Sequence, residues 1–301
     1  MSDIKLFKLN NNNVEELIGK SVAVEKSLQE TIEKNAETFL GVRFLSSEYY
    51  TGRIHRGRID TLGIDENNYP IIIEYKRSLN ENVINQGLFY LDWLLDHKGD
   101  FYLLVMKHLG KSVAEAIEWS NPRLLCIAGD FTRYDRYAVE QINRNIELIR
   151  YRRYSHNLLL LELVNFTSQK EEINPLSKKN NYQQKTVTEN LAKAPKEIQD
   201  RFEKLKAFLL ALGDDVQFKT LAYYFAFKRL KNFACVEVQS KSGNILVYLK
   251  VDPSTIKLEE GFSRDVHNIG HYGTGELEVK ITSEQDLEKA QSLLIQSYEA
   301  S

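Results

Sequence analysis

Asp60, Glu74 and Lys76 stand at a spacing that suits hydrolytic chemistry. Thirteen residues separate Asp60 from Glu74, and Lys76 follows Glu74 by two. Side chains two apart on a strand share a face, so an extended Pro70–Tyr75 segment points Glu74 and Lys76 the same way. Asp60, on a neighbouring strand, can reach that face. Carboxylates hold hard cations such as Mg2+ or Mn2+ through oxygen. A cation so held polarises a phosphate and lowers the pKa of a bound water. The lysine adds a compact positive charge, able to position or help deprotonate the attacking water and to offset charge in the transition state. These are the residue types that phosphodiester hydrolysis needs. The same three can also form a plain cross-strand ion network. Against that stands their place directly after Ile71-Ile72-Ile73, because burying charge without a task is costly.

The elements that must position these residues are readable from pattern. Gly57–Ile64 and Pro70–Tyr75 read as two strands joined by the turn-rich Asp65-Glu66-Asn67-Asn68. The apolar run before Glu74 is continuous rather than alternating, as in a strand covered on both faces. Apolar spacing predicts one helix over Val14–Leu40, ended by Gly41, and a strand over Val42–Tyr50 leading into a bend at Thr51-Gly52. After the hairpin come a helix over Asn80–His97, a strand over Phe101–Met106 and a short helix over Val113–Trp119. A strand over Arg123–Ala128, a helix over Tyr134–Asn143 and strands over Ile146–Tyr151 and Leu158–Val164 follow. This order predicts an α/β domain, a mixed sheet flanked by helices.

At 301 residues the chain is long enough for two domains. Residues 1–165 form the first in this reading. Residues 166–194 are rich in Lys, Asn, Gln, Ser and Thr and read as a linker. Residues 195–301 read as a smaller α+β domain. In it a helix spans Pro195–Leu212, strands span Leu221–Phe227, Cys235–Gln239, Ile245–Val251 and Glu276–Ile281, and a closing helix spans Ser283–Tyr298.

The pattern Gly57-Arg58-Ile59-Asp60-Thr61-Leu62, then Pro70-Ile71-Ile72-Ile73-Glu74-Tyr75-Lys76, resembles the signature of the PD-(D/E)XK nucleases. With Gln86, Tyr90 and Trp93 on the next helix it is similar to the NucS-type endonuclease domain. The resemblance spans roughly Val22–Val105. Ile59 stands where the nominal motif has proline. The resemblance implies a restriction-endonuclease-like fold, a Mg2+ (or Mn2+) cofactor held by Asp60 and Glu74, and Lys76 at the water. It implies that Glu25, on the preceding helix, and Gln86 complete the site; Glu30, Glu33 and Glu37 share the helix with Glu25. The implied activity is endonucleolytic cleavage of DNA before RNA. A catalytically inactive module binding nucleic acid or a protein partner is the other reading. Arg264-Asp265-Val266, Ile269–Gly273 and Gln296-Ser297-Tyr298 look like an uncharacterised C-terminal domain that recurs behind nuclease-like domains. That resemblance implies a binding or assembly module.

Composition narrows the partners. Formal net charge is −2, so any nucleic-acid binding must come from a local patch. Arg53, Arg56 and Arg58, with His55, cluster just before Asp60 and can face phosphates; an exposed strand end is the alternative. The cations and tyrosines interleaved over 133–137 and 150–154 can stack bases or be ordinary surface. The run Gly270–Gly275 has no following helix and reads as a turn rather than a phosphate loop. Cys126 and Cys235 sit in apolar runs as small hydrophobes, fitting a reducing compartment. No apolar run approaches membrane-span length and residues 1–13 lack a leader's apolar stretch, so the expectation is a cytoplasmic protein without a membrane partner. A homodimer is compatible with all of this.

Overall fold

The chain divides into two compact units, Met1–Glu172 and Ile173–Ser301. The computed structural model describes residues 4–10, 13–20, 25–76, 83–155, 157–167 and 186–301, without the side chains of Glu25 and Ile54.

The first unit opens with a hairpin of β1 (Leu6–Asn10) and β2 (Asn13–Leu17), then a short β3 (Gly19–Lys20). Among the described residues helix begins at α1 (Glu25–Lys34) and continues as α2 (Ala36–Leu40). The expected single helix from Val14 is therefore wrong over Val14–Lys20. Val14 and Ile18 are β-branched and Gly19 interrupts the run, which favours extended backbone over a continuous helix. Gly41 closes α2 in the left-handed region at φ 63°, as its type suggested. Then come β4 (Val42–Tyr50), α3 (Gly52–His55) in place of the expected bend, β5 (Arg58–Asp65) and β6 (Pro70–Lys76). The expected helix from Asn80 is α4 (Val83–Asp96); its first residues, 80–82, lie outside the described ones.

Next is α5 (Lys98–Leu109), where a strand over Phe101–Met106 was expected. Short apolar runs do not separate helix from strand by periodicity. The burial settles it: Phe101 and Val105, four apart, are buried, while Leu103 is 56% exposed. The unit ends with α6 (Lys111–Glu115), β7 (Arg123–Ala128), α7 (Arg133–Glu140), β8 (Asn145–Tyr154) and β9 (Leu158–Thr167).

Among the described residues seven strands form one mixed sheet in the order β3-β8-β7-β6-β5-β4, with β9 on β8. The pairs β6–β7 and β7–β8 are parallel; β4–β5, β5–β6, β8–β9 and β3–β8 are antiparallel. Helices α4 and α5 make the crossover from β6 to β7, as a parallel pair requires. Leu91, Leu94 and Val105 pack with Ile72, Leu124, Cys126 and Leu148 in one core. Every residue of β6 and β7 is buried, which is why Ile71–Ile73 reads as a continuous apolar run.

A buried ion triad locks the end of the sheet where β6 begins. The Arg123 guanidinium donates to both oxygens of Glu147 at 2.9 Å and to Asp65 Oδ2 at 2.7 Å. The other Asp65 oxygen accepts the N–H groups of Asn67 and Tyr69, shaping the β5–β6 turn.

The second unit starts with α8 (Val187–Lys193), which lies inside the segment expected to be a linker. Thr186 caps it by accepting the Glu189 N–H, and Val187 is wholly buried. Then follow α9 (Lys196–Leu210), β10 (Gln217–Thr220), β11 (Phe225–Lys228), β12 (Asn232–Gln239), β13 (Asn244–Leu249), β14 (Ser263–Asp265), β15 (Leu277–Ile281) and α10 (Glu284–Glu299). The single strand expected over Leu221–Phe227 is instead a turn and β11, with the Leu221 N–H bonded to Tyr224 O between β10 and β11. The sheet is antiparallel throughout, ordered β10-β11-β12-β13-β15-β14. The three helices cover one face, where Phe202, Leu205 and Leu294 meet Phe233, Val236, Val247 and Val279.

Candidate functional site

The hairpin of β5 and β6 is laddered from Ile64↔Pro70 to Thr61↔Ile73. Beyond that point carboxylates replace the ladder. The Asp60 N–H donates to Glu74 Oε1 at 3.1 Å, and the Tyr75 N–H donates to Asp60 Oδ2 at 2.9 Å. Each acid thus takes a backbone donor from the opposite strand, and the two carboxylates meet where the strands part. Neither carboxylate has an ion-pair partner among the described residues.

The electrostatics follow from that arrangement. Burial pushes the Asp60 carboxyl up to about 6, against the help of the Tyr75 N–H, and the charges of Glu48 and Glu33 push further. Glu74 is 1% exposed, and burial together with the Asp60 charge holds its carboxyl well above the usual carboxylate range. Two adjacent acids, one buried and one half-buried, without a basic partner among the described residues favour a shared proton or a bound cation.

Lys76 leaves β6 two residues on and is 4% exposed. Its amine lies 4.0 Å from Asp135 Oδ2. Asp135 is the third residue of α7 and closes a reciprocal capping box with Thr132. Cys126, beside Glu74 in the β6–β7 register, feels the charges of Glu74, Lys76 and Asp135; burial pushes its thiol far up and keeps it inert.

Helix α1 braces the opposite flank. The Gln29 amide donates to Asp60 O at 2.9 Å, Ser47 Oγ at 3.2 Å and Glu33 Oε1 at 3.0 Å. Thr61 donates to the same Glu33 oxygen at 2.5 Å. Glu33 is thus the α1 acid turned to the hairpin, while Glu30 and Glu37 are exposed. Glu25 is the first residue of α1, and its side chain lies outside the described ones. Gln86 on α4 is exposed and donates to the Tyr90 hydroxyl at 3.4 Å; that oxygen accepts the Arg58 N–H at 3.1 Å. Gln86 therefore reaches the start of β5 through Tyr90. Arg53, Arg56 and Arg58 are exposed, and none has a carboxylate partner among the described residues.

Sequence reasoning missed Gln29, Glu48 and Asp135, and offered Glu33 only as one of several acids sharing the helix of Glu25. Gln29 and Glu33 are set by the phase of α1, in which Leu28 and Ile32 are buried. Glu48 lies on β4 beside Asp60, in the left-handed region at φ 50°, and no pattern signals it. Among the described residues no group of three or more His, Cys, Asp or Glu is arranged to hold a metal ion. The donor set at the hairpin is two carboxylates. That number suits Mg2+, which keeps several waters and takes one or two carboxylates.

Residues 187–301 match a family described as a domain of unknown function, DUF5655. An uncharacterised protein of Haemophilus influenzae is 28% identical over 98% of this chain and 99% of its own length. Two solved structures are similar in part. A repair endonuclease from Pyrococcus abyssi is 18% identical over 44% of this chain, with a TM-score of 0.28. A complex of EndoMS with double-stranded DNA is 14% identical over 49% of this chain, with a TM-score of 0.25. The chain spans 47% and 64% of the lengths of those two proteins. No helix among the described residues is long and apolar enough to cross a membrane.

Proposed function

We propose that the first unit is a divalent-metal-dependent endonuclease acting on DNA. The observation that carries this reading is the meeting of buried Glu74 and half-buried Asp60, two carboxylates of raised pKa with no basic partner among the described residues. A structural ion network looks different, and this unit contains one for comparison: Asp65 and Glu147 both pair directly with Arg123. In this reading Asp60 and Glu74 hold Mg2+ or Mn2+. The ion, when bound, supplies Lewis acidity at a phosphate oxygen and a more acidic water. Lys76 presents a buried ammonium that orients the attacking water and faces the charge that develops on phosphorus-bound oxygen. Asp135 holds that ammonium from the α7 side. Glu25 and Gln86 complete the site. Arg53 and Arg56, exposed just before β5, and Arg58, exposed at its first position, meet backbone phosphates.

The test is cleavage of single-stranded, duplex and branched DNA with Mg2+ or Mn2+. Wild type cuts, and Asp60→Asn, Glu74→Gln and Lys76→Met each lose at least about two orders of magnitude in rate. Absence of cleavage by wild type on every substrate, or undiminished cleavage by these variants, overturns the proposal. One observation favours a second reading, an inactive module binding nucleic acid or a protein partner: no three-residue metal cluster forms among the described residues. That module would bind DNA equally well in chelator and after Asp60→Asn.

A further inference from the structure

Among the described residues the antiparallel sheet of the second unit has one face without helices. On β12, β13 and β15 the residues Val236, Val247 and Val279 point into the helix-covered core, so their neighbours in sequence emerge on the other side. One end of that open face is roofed by the segment after β14. Val266 packs with Tyr224, Cys235, Leu246 and Tyr248, and His271 stacks on Tyr248 at 4.2 Å. Gly273, at φ 83°, lies so close that a Cβ there would stand 2.5 Å from Cys235. The other end, not roofed by any of the described residues, holds a cavity of about 310 Å3.

We propose that this cavity binds a small phosphate-bearing ligand. Its walls present donors from four strands: Gln239 of β12, Asn244 of β13, Lys280 of β15 and Arg264 of β14. Leu246 adds an apolar patch, and Glu278 completes the set. The charges do not cancel. Arg264 donates through Nε and Nη2 to the two oxygens of Glu278, both at 2.7 Å, and this pair is neutral. That leaves Nη1 of Arg264 and the whole Lys280 amine without partners among the described residues. Glu278 is buried and also engages the Tyr248 hydroxyl, so it is a structural counter-ion with no need of a ligand cation. Glu237, opposite Leu246, is occupied by the Tyr248 hydroxyl and the Tyr272 N–H and is not part of the walls. The cavity thus carries one uncompensated positive charge and a surplus of N–H donors. Donors converging from four strands suit a tetrahedral oxyanion, whose oxygens point in several directions, better than a flat carboxylate. The volume, at the lower end for ligand pockets, fits a mononucleotide-sized molecule.

The experiment is calorimetric titration of the full chain, in chelator, with inorganic phosphate, adenosine 5′-monophosphate and adenosine. The monophosphate binds, phosphate binds more weakly, and adenosine does not bind. Lys280→Gln weakens the monophosphate by about tenfold or more, and Lys280→Arg restores most of it. Lys280 is only partly buried and unpaired, so both variants fold, which their unfolding temperatures check. No binding of either phosphate compound at millimolar concentration overturns the proposal. So does adenosine binding as tightly as its monophosphate, or unchanged affinity in Lys280→Gln.

Discussion

Replacing Asp60 by Asn should make the metal-free protein more stable. The Asp60 carboxyl titrates near 6 in the fold, against an ordinary value of 3.8. A shift of that size corresponds to ~3 kcal/mol, at 1.36 kcal/mol per pH unit. The sign follows from proton linkage. An acid with a raised folded pKa binds its proton more tightly folded than unfolded, so stability falls as pH rises from about 4 to about 6 and stays low above. Asn carries no charge to bury, and its carbonyl oxygen still accepts the Tyr75 N–H. That shift already counts the Tyr75 hydrogen bond, and screening by solvent at half-buried Asp60 removes about 1 kcal/mol or more of it. The net expectation at pH 8 is a gain of about 1–2 kcal/mol. Both tryptophans, Trp93 and Trp119, belong to the first unit, so their fluorescence follows that unit alone during urea unfolding. At an m-value of ~2 kcal/mol/M the midpoint should rise by about 0.5–1 M. The difference should vanish near pH 3, where Asp60 is protonated in the fold and almost wholly so in the unfolded chain. Adding Mg2+ should stabilise wild type and leave Asp60→Asn unmoved. A variant less stable than wild type at pH 8, or a gain that persists at pH 3, would refute the reasoning.

Three further outcomes are expected. Arg123→Met leaves Asp65 and Glu147 buried without their cation, so the first unit should lose about 3–5 kcal/mol by the same tryptophan measurement. Gly273→Ala forces a side chain into a left-handed backbone and against Cys235, so the second unit should lose about 1–3 kcal/mol in thermal unfolding followed by circular dichroism. Reversing Arg58 to Glu should weaken DNA binding at every sequence alike and lower the slope of log affinity against log salt by about one, measured by fluorescence anisotropy in chelator.

The hairpin that brings Asp60 to Glu74 was legible because both of its signals are local: an apolar run of three isoleucines and a turn-rich tetrapeptide. The face shared by Glu74 and Lys76 follows from strand geometry alone. What lay beyond reading depends on contacts distant along the chain. Asp135 meets Lys76 only because β7 runs parallel to β6 and returns α7 to the same end of the sheet. The choice of Glu33 over Glu30 and Glu37 needs the phase of α1, and the expected helix from Val14 placed its start too early to give that phase. The error at Phe101–Met106 has another origin. Six apolar residues suit a buried strand or the inner stripe of a helix, and here the crossover between parallel strands required the helix.

The exchange of backbone donors between Asp60 and Glu74 has a consequence for how this hairpin can change over generations. The acids are also its last stitches: trimming either to alanine would strip the opposite strand of a partner and unpick the tip. Amide side chains keep the seam closed. If the hairpin is the nuclease centre proposed for it, a lineage that abandons hydrolysis should drift through asparagine and glutamine at these two positions, and a pair of amides there would mark a retired centre.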